Sequence, residues 1–167
     1  MAGGTRKASA TARRRAARLA AVQALYQIEL TSDPADAVAR KFLEHRLGRE
    51  RDDEIEADQS LFADIVQGVA SRRRELDALI ASVLVEGWTV ERLELVLKLI
   101  LRAGAYELQA RPDVPARVCI TEYVDLAHAF FDGKEPGLTN GVLDHLARML
   151  RPDEMGLLKR ERQKTTG

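Results

Sequence analysis

The feature that most constrains the fold is the stretch from Val90 to Leu108, which is apolar around most of a helical circumference. Its charged residues Glu94, Lys98 and Arg102 recur at intervals of four, so they fall on one narrow stripe. A helix of this kind must be covered on nearly every side by other elements. The sequence therefore predicts a fold organised around this segment, with further helices packed against it.

The remaining apolar positions also follow helical spacing, and the sequence shows neither a strand pattern nor a fixed-period repeat. Hydrophobic residues make up 46% of the chain but aromatic residues only 5%, so the core must rely on Leu, Val, Ile and Ala. This composition favours helices. We predict an all-α, compact helical bundle of about seven helices in two subdomains. The expected helices cover residues 12–30, 35–47, 60–84 and 90–108, then a segment from Pro115 to about Phe131 and a last one from Pro136 to Pro152.

Punctuating residues suggest how the chain is divided. Gly87 and Trp88 mark the expected boundary between the subdomains, and Thr89 is a candidate cap for the helix that follows. Residues 48–59 hold six acids and are expected to form a solvated loop. The predicted organisation is a disordered basic extension over 1–12, an N-terminal helical subdomain over 13–87, a C-terminal helical subdomain over 88–151 and a polar tail over 152–167.

Charge is distributed unevenly along the chain. Between Met1 and Ile28 six residues are basic and none is acidic. Because the whole chain balances 26 basic residues against 26 acidic ones, the remainder carries a net charge of −6. A basic end on an acidic body is typical of proteins that bind a polyanion.

The arginines of this basic end are grouped at the start of the first helix. Arg14 and Arg18 share a helix face, and Arg13 and Arg15 flank it. Positive charge in a first turn opposes the helix dipole and costs about 0.3–1 kcal/mol per residue. Binding to phosphates explains both the cluster and the absence of acids, whereas the alternative is a solvated end that is basic by accident.

Motifs for catalysis are missing from the sequence. His128 follows Cys119 by nine residues, which on one helix places them about 13 Å apart along the axis, too far for a thiol and its base. Cys119 is therefore expected to be a buried core residue. The three histidines lack metal-ligand spacing, and no glycine-rich phosphate loop occurs. The sequence predicts a non-enzymatic protein with no cofactor and no metal. A separate basic run, Arg72-Arg73-Arg74, is followed by Glu75 and Asp77 and is expected to be an exposed face.

Targeting signals are also weak. No apolar run approaches the ~20 residues that span a bilayer. The Arg-, Ala- and Ser-rich N-terminus has the composition of an organellar transit peptide, but its helix continues into apparent core. We expect a cytoplasmic protein.

Four blocks in a fixed order resemble the NusB family of transcription antitermination factors, over roughly residues 13–151. The blocks are Arg13–Tyr26, Leu101–Leu108, Val114-Pro115 followed by Val118–Ala127, and Asn140–Asp144. The resemblance implies an all-α fold with an N-terminal three-helix part and a C-terminal helical part. It also implies that the chain acts with NusE, a small-subunit ribosomal protein, binds the single-stranded boxA element of nascent ribosomal RNA and helps RNA polymerase resist termination.

The same resemblance implies which residues contact RNA. The arginine-rich motif falls on Arg14, Arg15 and Arg18, with Arg13 at its start, and Tyr26 closes the helix that carries it. The loop before the last helix adds Phe130, Lys134 and Leu138. Tyr26 and Phe130 could stack on unpaired bases. The spacing of Tyr26 suits a core residue equally well, and the spacing of Phe130 favours burial in the core. Leu138 replaces a frequent Phe of the family, which removes one stacking platform.

Two other functions stay open from the sequence. A NusB-like scaffold or regulator that binds proteins but not RNA would fit the acidic body and Leu138. An RNA-modifying enzyme would need a cofactor-binding domain, for which the chain has no motif. The sequence also leaves a monomer and a homodimer open.

Overall fold

A computed structural model of the protein describes residues 8–47 and 57–156. Most of the predicted acidic loop, residues 1–7 of the predicted extension and residues 157–167 of the predicted tail lie outside the described residues. Within the described ranges the chain forms seven α-helices and no strand, which confirms the predicted all-α class. The helices are α1 (Ala10–Thr31), α2 (Ala35–Phe42), α3 (Gln59–Ser71), α4 (Arg73–Val83), α5 (Leu95–Ala110), α6 (Ala116–Phe130) and α7 (Glu135–Leu150).

The chain divides into two compact units between Ala70 and Ser71, whereas the sequence predicts a division at Gly87 and Trp88. Unit 1 contains α1 to α3, and unit 2 contains α4 to α7. The earlier boundary follows from packing, because α4 lies against α5 and α7. The loop at Gly87, where φ is +91°, is a turn inside unit 2.

Unit 1 begins with the long helix α1. The Ser9 hydroxyl accepts a hydrogen bond from the Ala12 N–H at 3.1 Å and so caps the helix. The helix ends at Ser32, which adopts a left-handed conformation (φ 58°) and donates its N–H to the Ile28 carbonyl. Phe42 and Phe62 stack in the core with ring centroids 5.8 Å apart. Helix α2 is shorter than predicted, because Leu43–Leu47 forms a π-helical turn.

The predicted single helix over residues 60–84 is wrong. Its first part is α3 and its second part is α4, separated at Arg72, where φ is −113° and ψ is 21°. Neither Gly nor Pro marks this break, and the apolar spacing continues across it. The two halves nevertheless pack in different units.

Helix α5 is the centre of unit 2, as predicted, because α4, α6 and α7 all pack on it. Its start differs from the prediction. Val90–Arg92 forms a short 3-10 turn, and Thr89 makes no capping hydrogen bond with its side chain. Glu94 is the cap instead: its carboxylate accepts hydrogen bonds from the N–H groups of Val96 at 3.1 Å and Leu97 at 3.3 Å.

The predicted charged stripe on α5 is only partly exposed. Arg102 is buried. Its guanidinium donates two hydrogen bonds to Asp77 of α4, from Nε to Oδ1 at 2.7 Å and from Nη2 to Oδ2 at 2.9 Å. This bidentate pair joins α4 to α5, so one residue of the charged stripe is a buried link between two helices.

The crossing of α5 and α7 is close because Gly104 lacks a side chain. A Cβ at this position would lie 2.8 Å from Leu143 Cδ1 and 3.3 Å from Tyr123 Cδ2. Cys119 is fully buried beside it and its thiol points at the Gly104 carbonyl at 3.7 Å, which confirms the predicted core cysteine. The Tyr123 hydroxyl donates to the buried Glu107 carboxylate at 2.6 Å.

One arginine beyond the last helix closes the corner between α5 and α6. Arg151 is buried and donates to the carbonyls of Glu107 and Leu108 at 2.9 Å each, and of Arg111 at 2.7 Å. It also donates to the Val114 carbonyl and pairs with Glu154 at 3.2 Å. These carbonyls lie at the end of α5 and in the turn after it, so the guanidinium serves as a C-terminal cap supplied from a distant part of the chain.

Candidate nucleic-acid interface

The arginines at the start of α1 differ in how they are presented. Arg15 is exposed, and the side chain of Arg14 is 38% exposed. Arg13 is half-buried, and its Nε has no hydrogen-bond partner among the described residues. No acidic residue occupies the first turn. Arg14 and Arg15 are therefore the members of the cluster whose charge reaches solvent most directly.

Arg18, in contrast, is buried: the residue is only 2% exposed and is among the largest buried side chains. It follows the same helical spacing as the buried residues Val22 and Leu25. To contact a phosphate, its guanidinium would have to leave this site. The structure thus separates Arg18 from Arg14 and Arg15, which the sequence had grouped.

Asp58 has a role in this region that was not predicted from the sequence. Its Oδ1 accepts from the Leu61 N–H at 3.0 Å and so caps the start of α3. Its backbone N–H donates to the Arg13 carbonyl at 3.0 Å, and its Oδ2 lies 4.0 Å from Arg14 Nε. Asp58 thereby joins the beginnings of α1 and α3. The signal was available, because an Asp just before a helical pattern is a typical N-cap.

Tyr26 lies two turns beyond the arginines on α1 and is 38% exposed. Leu30, one turn further along the same helix, is 64% exposed. The tyrosine is therefore not a fully buried core residue, and part of its ring is accessible for contact with another molecule.

The second group of predicted residues surrounds the turn between α6 and α7 in unit 2. Phe130 ends α6 and is 44% exposed, so its predicted burial is wrong. Lys134 precedes α7 and is exposed, and its carbonyl accepts the Leu138 N–H at 3.0 Å. Leu138 is half-buried. This turn presents an aromatic ring and an ammonium group within five residues of one another.

The predicted site residues thus form two groups, one on each unit. The group on unit 1 offers guanidinium groups and the ring of Tyr26, and the group on unit 2 offers the ring of Phe130 and the ammonium of Lys134. Cations suit phosphates, and accessible rings suit unstacked bases. Each group has the chemistry needed to hold a single-stranded nucleic acid.

Other kinds of site find no support in the part of the chain that the structure covers. Among residues 8–47 and 57–156, no cluster of three or more His, Cys, Asp or Glu side chains could hold a metal ion. None of the described helices is both long and apolar enough to cross a membrane.

Comparisons with known proteins agree on one family. The sequence model of the NusB family matches residues 15–148. The transcription antitermination protein NusB of Bradyrhizobium sp. (strain ORS 278) is 48% identical over 146 residues, covering 86% of this chain and 87% of the relative. The protein of the same name from Sphingopyxis alaskensis is 51% identical over 140 residues, covering 83% of this chain and 94% of the relative.

Solved structures give the same result for the fold. NusB of T. maritima superposes with a TM-score of 0.70 at 26% identity, covering 86% of this chain and 97% of that one. A chain in the crystal structure of a plectonemic RNA supercoil superposes with a TM-score of 0.68 at 26% identity, covering 82% of this chain and 95% of that one. Since the family match spans most of the sequence and both units of the fold, the chain belongs to the NusB family.

Proposed function

We propose that this chain is a transcription antitermination factor that binds single-stranded RNA of the boxA type together with a NusE-type ribosomal protein, in the cytoplasm, and helps RNA polymerase resist termination. The observation that carries the proposal is the 48–51% identity to proteins named as antitermination factors over 83–86% of this chain. In this role the protein binds and positions other molecules and performs no catalytic step.

The geometry of α1 supports RNA binding by the first unit. Arg14 and Arg15 present positive charge at the start of the helix, where it opposes the helix dipole and therefore does not serve the stability of the helix itself. Tyr26 adds an accessible ring on the same helix. In this proposal Arg14 and Arg15 contact phosphates, Arg13 supports them, and Arg18 holds the helix in place from its buried site.

The turn between α6 and α7 supports a second contact. Phe130 and Lys134 provide a ring for stacking and a cation for a neighbouring phosphate. Leu138 is half-buried, so it contributes to the shape of the turn more than to stacking. Replacing Phe130 with Leu should weaken RNA binding by about 1–3 kcal/mol, the usual contribution of one stacked base.

The decisive test is fluorescence anisotropy of a labelled boxA-like RNA against a scrambled RNA, with and without the NusE-type partner. The test variant is Arg14→Ala/Arg15→Ala, and the matched control is Arg40→Ala/Lys41→Ala. The control removes two exposed cations from α2 of the same unit, so both variants change the net charge equally.

We expect tight, sequence-selective binding that the partner strengthens. Removing two phosphate contacts should make the slope of log K against log salt shallower by about 1.4, at roughly 0.7 for each phosphate of a single strand. The control should leave the slope near that of the wild type. If wild-type protein binds the partner but no RNA, the chain is a protein-binding scaffold of the NusB family and the RNA-binding part of the proposal is wrong.

A further inference from the structure

A second basic surface lies at the start of α4 and is formed by Arg72, Arg73 and Arg74, here called the arginine triplet. All three residues are exposed. From the sequence, only an exposed face is expected here, because Glu75 and Asp77 follow the arginines. The structure shows what these two acids do, and this changes the charge balance of the surface.

Asp77 is already neutralised by another residue. The buried guanidinium of Arg102 binds both of its carboxylate oxygens, at 2.7 and 2.9 Å. Glu75 accepts a hydrogen bond from Gln109 Nε2 at 2.7 Å, which directs its carboxylate toward α5. Because Asp77 is paired with Arg102 of α5, the three arginines of residues 72–74 outnumber the one remaining acid of this stretch, Glu75, and the stretch carries a net positive charge.

One member of the triplet is held in a fixed position. The Arg72 guanidinium carbon lies 5.5 Å from the ring centroid of the buried Tyr106, in cation–π geometry. Its Nη1 donates to Gln109 Oε1 at 3.3 Å. Since Gln109 also holds Glu75, one amide orders both side chains. An arginine ordered in this way loses less entropy when it binds an anion.

The composition of the surface indicates the kind of partner. Protein interfaces are usually anchored by large apolar or aromatic side chains. Between Ser71 and Ala78 no exposed large apolar side chain occurs, and Leu76 is buried. Contacts with a phosphate backbone need no such anchor, and the planar guanidinium suits phosphate oxygens especially well.

We propose that the arginine triplet binds backbone phosphates of the RNA, as a contact on unit 2 in addition to the residues of α1 and of the turn between α6 and α7. This inference rests on the proposed RNA-binding function. It assigns the triplet to affinity rather than to sequence preference, because phosphate contacts carry no base information.

The test compares Arg73→Gln/Arg74→Gln with the matched control Arg92→Gln/Arg117→Gln. Both pairs are exposed arginines of unit 2, and Arg72 is left in place because it packs on Tyr106. Each protein is titrated by anisotropy with an RNA that carries a boxA-like element and flanking nucleotides, between 50 and 200 mM salt. Circular dichroism checks that the variants remain folded.

We expect wild-type protein to lose about sevenfold more affinity over this salt range than the triplet variant. This difference corresponds to two phosphate contacts, each of which contributes roughly 0.7 to the slope of log K against log salt. The discrimination between boxA-like and scrambled RNA should stay unchanged, and the control should behave as wild type. Equal losses in both variants would reveal a general charge effect and overturn the inference.

A triplet variant that binds RNA as the wild type does would also overturn the inference while leaving the proposed function intact, and would redirect attention to an acidic protein partner. If the wild type itself binds no RNA, the inference and the RNA-binding function fail together.

Discussion

Replacing Arg151 with Ala tests whether the corner between α5 and α6 depends on the buried guanidinium. The side chain donates to four carbonyls, those of Glu107, Leu108, Arg111 and Val114. Each hydrogen bond contributes about 1 kcal/mol net, and a buried carbonyl left without a donor costs about 1–3 kcal/mol. We therefore expect a loss of about 3–5 kcal/mol in the free energy of unfolding of unit 2, similar to the breaking of other buried charged contacts.

The Leu108 carbonyl explains why the loss should be large. In a continued helix its donor would be the N–H of the residue four positions later, but that residue is Pro112, which has none. The Arg151 Nε supplies the missing donor at 2.9 Å. Arg151→Lys keeps the charge but not the planar fork, so it should recover only part of the lost stability.

Urea unfolding followed by tryptophan fluorescence is a suitable assay, because Trp88 is the only tryptophan and lies in unit 2. With a denaturant slope of about 2 kcal/mol/M, the midpoint should fall by about 2 M. The control is Arg148→Ala, which removes an exposed pair with Asp144 and should cost less than about 1 kcal/mol. A midpoint for Arg151→Ala within about 0.3 M of wild type, on that same slope, would refute the capping role.

Three further predictions concern the packing of unit 2. Gly104→Ala should destabilise the protein by up to about 2 kcal/mol, because the new Cβ would meet Leu143 at an overpacking cost of about 1–3 kcal/mol and the better helix propensity of Ala returns about 1 kcal/mol. Gly141→Ala, which meets nothing within 4 Å, should stabilise the protein by about 0.5–1 kcal/mol, and thermal unfolding of both variants distinguishes packing from helix propensity. Glu94→Ala should cost about 0.5–2 kcal/mol through loss of the cap on α5, with Glu94→Asp as the conservative control in urea unfolding. Cys119 should resist a thiol reagent in native buffer and react at once in denaturant, and rapid native labelling would contradict its burial.

The central helix of unit 2 could be predicted because α5 is apolar around most of its circumference. An apolar circumference leaves no other placement, and Pro112 and Pro136 mark where helices must stop or start. The buried Cys119 followed from the same reasoning. These features depend only on local pattern, which a single sequence displays directly.

Long-range polar contacts could not be predicted in this way. Arg102 belongs to an evenly spaced charged stripe, and only the position of Asp77 on another helix shows that it is buried in a pair. Arg151 is the last residue of the predicted C-terminal subdomain, and its local sequence does not identify its acceptors, which lie 37–44 residues earlier in the chain. The break at Arg72 has no sequence signal, because the apolar spacing is helical on both sides.

The residues of the candidate site could be predicted from the sequence, but which of them are exposed and which are buried could not. The cluster of arginines predicts a binding site at the start of α1, and the family resemblance adds Tyr26 and the turn between α6 and α7. Spacing also held a signal that was missed: Arg18 precedes Val22 by four residues and Leu25 by seven, which places it on the buried face. Whether these residues contact RNA remains a prediction for the binding experiments.

The cap on α5 also sets an order of events during synthesis. The ribosome releases the end of α5 and the Val114 turn some 37–44 residues before it releases Arg151. Until then the Leu108 carbonyl has no donor from its own helix, so the nascent corner must be satisfied by water. A chain stopped at Leu150 would contain helices α4 to α7 and still lack this guanidinium. The shortest form that folds stably should extend through Glu154, which pairs with Arg151 and accepts the Ala116 N–H at the start of α6.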